Sequence, residues 1–124
     1  MITKKGFTLI ELLIVIAIVG ILIAVGSASF LTASKQSRDT RRKADIEQIR
    51  QALEVYRSEN GAYPLSSTSW QTTLESGGYI SKVPTPPKTD TYDLTSSNGT
   101  SYSLCATLET VTTPATCNYI VTNP

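Results

Sequence analysis

No histidine occurs anywhere in the chain. The commonest general base and the commonest metal ligand are therefore absent together. There are only two cysteines, Cys105 and Cys117, and without histidine they make a poor metal site. No glycine-rich phosphate loop with its lysine is present, and no carboxylate pair lies in an evident cleft; Gly77-Gly78 reads as a turn. No enzyme emerges, and no cofactor is called for. Charge excess of either sign is missing too, with 11 basic against 10 acidic residues, so no global field steers the chain to nucleic acid. Internal repeats are absent.

Charge is also missing locally. Residues 12–34 contain none, and proline is absent from residues 7–60. Leu12 to Ala33 is a run of 22 largely apolar residues, roughly 33 Å as a helix, against a hydrocarbon core of about 30 Å. Lys4 and Lys5 precede it, which places the N-terminus in the cytoplasm and the polar remainder across the membrane. A plain signal anchor satisfies these facts. A cleaved secretory signal is a second reading, with Ser27-Ala28-Ser29 as a small-residue cleavage site ahead of Phe30. Neither has a use for Glu11, which stands at the head of the run. A carboxylate at the centre of a membrane helix costs about 2.5–3.5 kcal/mol, less near the interface, and marks function by default. An amine created by cutting after Gly6 would lie four residues from Glu11. Within one helix that pairing is strained; between staggered neighbouring chains it is easy and would set register.

Gly6-Phe7-Thr8-Leu9-Ile10-Glu11, preceded by basic residues and followed by an apolar helix, resembles the class III signal of the type IV pilin and type II secretion pseudopilin family. The resemblance implies a prepilin peptidase that cuts after Gly6 and methylates the new amine of Phe7. It implies that Glu11 pairs with the Phe7 amine of a neighbouring subunit in a homopolymeric filament. Minor pilins or pseudopilins, an assembly ATPase and an inner-membrane platform protein are the implied partners. The implied life history is single-pass insertion in the inner membrane, then an extracytoplasmic or cell-surface filament. Pilin helices can unwind near Gly20, although glycine is also simply common in membrane helices. Where the family often has proline, this chain has Gly26-Ser27-Ala28-Ser29, which makes a kink less expected.

Beyond the apolar run, Ile46, Ile49, Leu53 and Tyr56 recur at helical spacing and mark one buried face. Asp39–Lys43, Lys43–Glu47 and Arg50–Glu54 fall at i,i+4. Asn60-Gly61 stops the helix, with Gly61 in the left-handed cap position. One continuous helix over residues 7–60, roughly 80 Å long, is expected. Arg38, Arg41, Arg42 and Lys43 form a weak basic patch, interleaved with Asp39 and Asp45. They read as a solvated face outside the membrane rather than a nucleic-acid contact.

Residues 61–124 are too few to bury a large core alone, so the amphipathic helix face must supply one wall. Ser69 to Glu75 reads as a short helix with Ser69 as N-cap and Gly77-Gly78 as stop; Gly78 to Pro84 reads as an extended crossing. Tyr92 and Leu94 alternate, as do Tyr102, Leu104, Ala106 and Leu108, and Asn98-Gly99 is a strong hairpin turn signal between them. Tyr119 to Thr122 makes a third strand. Cys105 is out of phase with the buried face and is expected to point outward. Outside the cytoplasm Cys105 and Cys117 read as a disulfide worth about 3 kcal/mol, with two free thiols as the alternative. Some pseudopilins bind calcium through acidic C-terminal loops; here only Asp90, Asp93 and Glu109 are near, which does not support a site.

The expected architecture is α+β and pilin-like: a long N-terminal helix, membrane-spanning in its first half, against a small antiparallel sheet. Its parts are a leader (1–6), a transmembrane or filament-core helix (7–34), an amphipathic continuation (35–60) and an extracytoplasmic domain (61–124). NGAYP after the helix leans toward the major secretion pseudopilin, and the cysteine pair toward a pilin. The rival from another class is a non-polymerising anchored or secreted binding domain, in which Trp70 and exposed tyrosines would serve a ligand.

Overall fold

The computed structural model describes residues 6–66, 69–111 and 116–123, apart from the side chain of Ala28. The basic residues Lys4 and Lys5, and most of the expected leader, lie outside them. The chain divides into two compact units, Met1–Ser34 and Lys35–Pro124. A single helix, α1 (Leu9–Asn60, 52 residues), supplies the main element of the first unit and the first element of the second. It begins two residues later than the expected Phe7, because Thr8 caps it.

In the first unit the large apolar side chains are exposed all round; the least exposed between Phe7 and Leu31 is Val19, at 46%. Among the described residues, α1 is the one helix long and apolar enough to cross a membrane, and its most apolar window has none of its residues buried. Gly20 and Gly26 interrupt nothing: the helix runs through both, and a Cβ at either would meet open space.

In the second unit α1 becomes one-sided. Ile46, Ile49, Ala52 and Leu53 are buried, and Tyr56 packs at the margin. Gly61 adopts φ +74°, and its N–H caps the Arg57 carbonyl at 2.8 Å. Helix α2 (Trp70–Ser76) follows and buries Trp70 and Leu74. Ser69 occupies its N-cap position but makes no side-chain capping bond. The expected extended crossing after Gly78 is instead a series of bends without strand structure, pinned by buried Ile80 and Val83.

Three short strands form an antiparallel sheet in the order β1 (Asp93–Thr95), β2 (Ser103–Ala106), β3 (Tyr119–Thr122). Leu94 lies opposite Leu104, and Leu104 opposite Val121. Tyr92, Leu94, Tyr102, Leu104 and Ala106 close the core against the α1 face, with Tyr63 and Trp70 at its ends. Each such large apolar side chain contributes about 1.5–3 kcal/mol by leaving water. The fold is thus α+β. Trp70, Tyr63, Tyr92 and Tyr102 belong to this core, and Trp70 and Tyr92 also line an open cleft with Val83, Pro84 and Lys88.

Several local expectations need correction. Asn98-Gly99 does lie in the turn that joins the antiparallel strands β1 and β2, but the loop, residues 96–102, is longer than a two-residue hairpin. Its reason is tertiary: the loop reaches across to the 61–66 connection. The Tyr63 N–H donates to the Gly99 carbonyl at 2.7 Å, and the Ser66 N–H to that of Ser96 at 3.0 Å. Gly99 sits at φ +72°, where a Cβ would lie 3.1 Å from the Tyr63 carbonyl oxygen, so both the conformation and the close approach require glycine.

The expected i,i+4 ion pairs are replaced. Arg50 pairs with Glu47 instead. Glu54 accepts hydrogen bonds from the hydroxyls of Tyr63 and Tyr102, and Lys43 lies over the Tyr119 ring at 5.6 Å. Cys105 does lie outside the main core cluster, as its phase requires, and it is nonetheless buried. It forms a disulfide with Cys117, with the two Cα atoms 5.4 Å apart. Part of the loop that this bond closes lies outside the described residues.

Candidate functional site

Two constellations carry the chemistry, one in each unit. The first is at the start of α1. Gly6, Phe7 and Thr8 precede the helix, and all are exposed. Thr8 is the N-cap and Glu11 the third helical residue. The Thr8 N–H donates to Glu11 Oε2 at 2.8 Å, and the Thr8 hydroxyl to the same oxygen at 2.7 Å. The Glu11 N–H donates back to Thr8 Oγ1 at 3.3 Å. This is a capping box, in which threonine and glutamate each satisfy the other's otherwise orphaned backbone donor. Sequence reasoning singled out Glu11 but missed Thr8. The Thr-x-x-Glu spacing ahead of an apolar run was the available signal. Both bonds from Thr8 fall on Oε2, so the other oxygen is available to a second group without loss of the cap.

The second constellation lies in the globular unit, and sequence reasoning misread it. Arg42 and Asp39 are not on a solvated face: Arg42 is fully buried and Asp39 is 4% exposed. Arg42 donates to Asp39 at 2.9 Å, to Glu109 at 2.9 Å and to Asp90 at 2.8 Å. Arg38 forms a two-pronged fork on Glu109, with Nε to Oε1 and Nη2 to Oε2 both at 2.7 Å, and Lys88 adds a third cation to Oε2 at 2.8 Å. The exchange is reciprocal. Asp39, on the helix, accepts the backbone N–H groups of Glu109 and Thr110 at 2.8 Å each and the Thr110 hydroxyl at 2.7 Å. The buried Nε of Arg42 has no hydrogen-bond partner among the described residues.

The electrostatics follow from these contacts. The Arg38 fork is the largest influence on Glu109; with Lys88 and Arg42 it outweighs burial and holds the carboxyl far below its ordinary 4.5. Burial alone would raise Asp39, but the N–H of Glu109, the hydroxyl and N–H of Thr110, and Arg42 together hold it below its ordinary 3.8. Tyr92 and Tyr102 are pushed above their ordinary 10.0, chiefly by burial and then by Asp45 and Glu54 respectively.

A pH dependence results. A carboxyl depressed in the folded state stabilises fully above its unfolded pKa, and that contribution disappears as pH falls through the folded value. A raised tyrosine stabilises below its unfolded pKa and is lost as pH rises past it. Unfolding free energy should therefore be flat between about pH 5 and 9, with no histidine to titrate there, and fall on both sides. Denaturant titrations across pH check this, and Glu109→Gln should flatten the acid arm selectively.

The cluster leaves little for a cation. Asp90 and Glu109, two of the acids considered for calcium, are engaged by Arg42, Arg38 and Lys88. Among the described residues, no group of three or more histidine, cysteine or acidic side chains is arranged to hold a metal ion.

Comparison with known proteins reaches into both units. Residues 1–27 match the family model of the prokaryotic N-terminal methylation motif, and residues 29–107 that of type II secretion system (T2SS), protein G. The type IV wide pilus major component PilA4 of Thermus thermophilus is 40% identical over 102 residues, covering 82% of this chain and 72% of its own. A type II secretion system core protein G of Pseudomonas aeruginosa is 31% identical over 96 residues, 68% of each chain. The corresponding Escherichia coli protein is 25% identical over 103 residues, 73% of this chain and 71% of its own. No solved structure gives a significant match. With a methylation motif running into a fully exposed apolar helix and a protein G domain behind it, the chain belongs to the family of type IV pilins and type II secretion pseudopilins.

Proposed function

We propose that this pilin or pseudopilin subunit is made as a precursor, cut between Gly6 and Phe7, N-methylated at Phe7 and polymerised through Glu11. The observation that carries the reading is the all-round exposure of the large apolar side chains between Leu9 and Leu31. Such a helix needs an apolar environment on every side, first lipid and then the equivalent helices of other subunits. Residues 1–6 serve as leader, 7–34 as membrane anchor and filament core, 35–60 as the amphipathic continuation, and 61–124 as the extracytoplasmic coat. Glu11 keeps Oε2 on Thr8 and offers Oε1 to the methylated amine of a neighbour. Positive charge before the helix supports a cytoplasmic N-terminus, and a prepilin peptidase, an assembly ATPase and a platform protein complete the machinery.

The intact mass of the chain from its native membrane tests this. The expected value is that of residues 7–124 plus one methyl group, less two hydrogens for the disulfide. A mass that retains Met1 to Gly6, in cells with an active prepilin peptidase, would return the chain to a plain anchored domain. A mass beginning at Phe30 would make it a secreted one.

A further inference from the structure

The segment that carries Glu109 is held at two places. One is the ion cluster on α1. The other is the start of β3. The β2–β3 ladder ends at Ala106 opposite Tyr119, and beyond it side chains replace backbone pairing. The Leu108 N–H donates to Asn118 Oδ1 at 2.6 Å, and Asn118 Nδ2 donates to the Leu108 carbonyl at 2.9 Å. The Cys117 N–H donates to Thr107 Oγ1 at 3.2 Å. Cys117 itself sits at φ +80°, the one described non-glycine residue in the left-handed region, a conformation that persists only where its surroundings enforce it. The disulfide to Cys105, on β2, supplies that enforcement.

We infer that the Cys105–Cys117 disulfide sets a latch: it seats Asn118 on Leu108 and so delivers Glu109 and Thr110 to Arg38, Asp39 and Arg42. In the reduced chain Cys117 relaxes, Asn118 releases Leu108, and the segment lifts from α1. Water then reaches Arg42 and Asp39, so neither is left buried and unpaired. The main core cluster survives, because neither cysteine nor Leu108 belongs to it. In the closing step the two thiols lose two protons and two electrons as the S–S bond forms. The acceptor is the disulfide of a thiol oxidoreductase, which leaves as a dithiol. Cytosolic thiols stay reduced, so the latch closes only after the domain has left the cytoplasm. That timing rests on the extracytoplasmic placement proposed above; the latch itself does not.

Amide hydrogen exchange on the full chain in detergent micelles, oxidised and then reduced with dithiothreitol, tests the latch. The Glu109 and Thr110 amides, both bonded to a charged acceptor, should exchange about tenfold faster or more after reduction, while the protected amides of β2 keep their rates. Asn118→Ala should produce the same selective loss with the disulfide intact. Unchanged protection at Glu109 and Thr110 on reduction, or loss only in step with β2, would overturn the inference. Unchanged protection in the oxidised Asn118 variant would overturn the link through Leu108. A precursor found uncut would count against the timing alone.

Discussion

Arg42→Ala should lower the unfolding free energy of the globular unit by about 3–5 kcal/mol, the cost of removing one partner from a buried ion cluster. The guanidinium has no solvent access and contacts Asp39, Glu109 and Asp90. Its removal leaves Asp39, with a side chain only 6% exposed, facing Glu109 without the cation between them. Lysine at position 42 should restore only part of the loss, since one ammonium cannot match a planar fork that reaches three carboxylates. Arg50→Ala is the control: its pair with Glu47 has side chains 39% and 47% exposed and should contribute under about 1 kcal/mol. Denaturant midpoints of the three variants at neutral pH make the comparison. Equal midpoints for the Arg42 and Arg50 alanine variants would mean that the cluster does not hold the C-terminal segment.

Glu11→Ala should abolish filaments while leaving membrane insertion, cleavage and domain stability unchanged. An amine left unpaired in an apolar core at about 2.5–3.5 kcal/mol corresponds to roughly a hundredfold loss of subunit association. The capping box complicates this variant, because alanine also removes the partner of Thr8. Losing a cap costs about 1 kcal/mol of helix stability. Glu11→Gln separates the two roles, since glutamine can still accept from Thr8 but carries no charge. Thr8→Ala does the converse. If charge pairing drives assembly, the glutamine variant fails and the Thr8 variant assembles at reduced yield. Filament yield by microscopy, normalised to cleaved subunit, reads the outcome; abundant filaments from Glu11→Gln would refute the charge pairing.

The parts of the fold that rest on periodicity were legible in the residues. Ile46, Ile49 and Leu53 lie on one helix face, and Tyr102, Leu104, Ala106 and Leu108 alternate, because both patterns follow from local geometry. The Gly6 to Glu11 motif was legible because its chemistry is contiguous. The ion cluster was not. Arg42 lies 48 residues from Asp90 and 67 from Glu109, and nothing at position 42 distinguishes a buried arginine from a solvated one. Asp39 finds its partners in the 109–110 segment that folds over the helix, while Arg50 takes Glu47 on the helix itself in place of Glu54. Asn98-Gly99 does mark the β1–β2 hairpin, but the length of its loop, residues 96–102, was not legible for a related reason. The backbone of the 61–66 connection competes for the loop, and turn propensity carries no record of it.

The cluster around Glu109 contains three cations, Arg38, Arg42 and Lys88, and three anions, Asp39, Asp90 and Glu109. At a distance it is electrically silent. Its charges sum to zero, so its field falls off faster than that of a lone charge; Arg42 at its centre has no solvent access, while Lys88 and Asp90 at its rim are 53% and 36% exposed. Exposed charges such as Lys35 and Arg41 remain subject to a Debye length of about 8 Å at physiological ionic strength. Ionic strength therefore acts least at Arg42 and most on the exposed charges, the Arg50–Glu47 pair among them. A dependence of filament assembly on salt will report chiefly those exposed charges, including the ones that subunits present to one another.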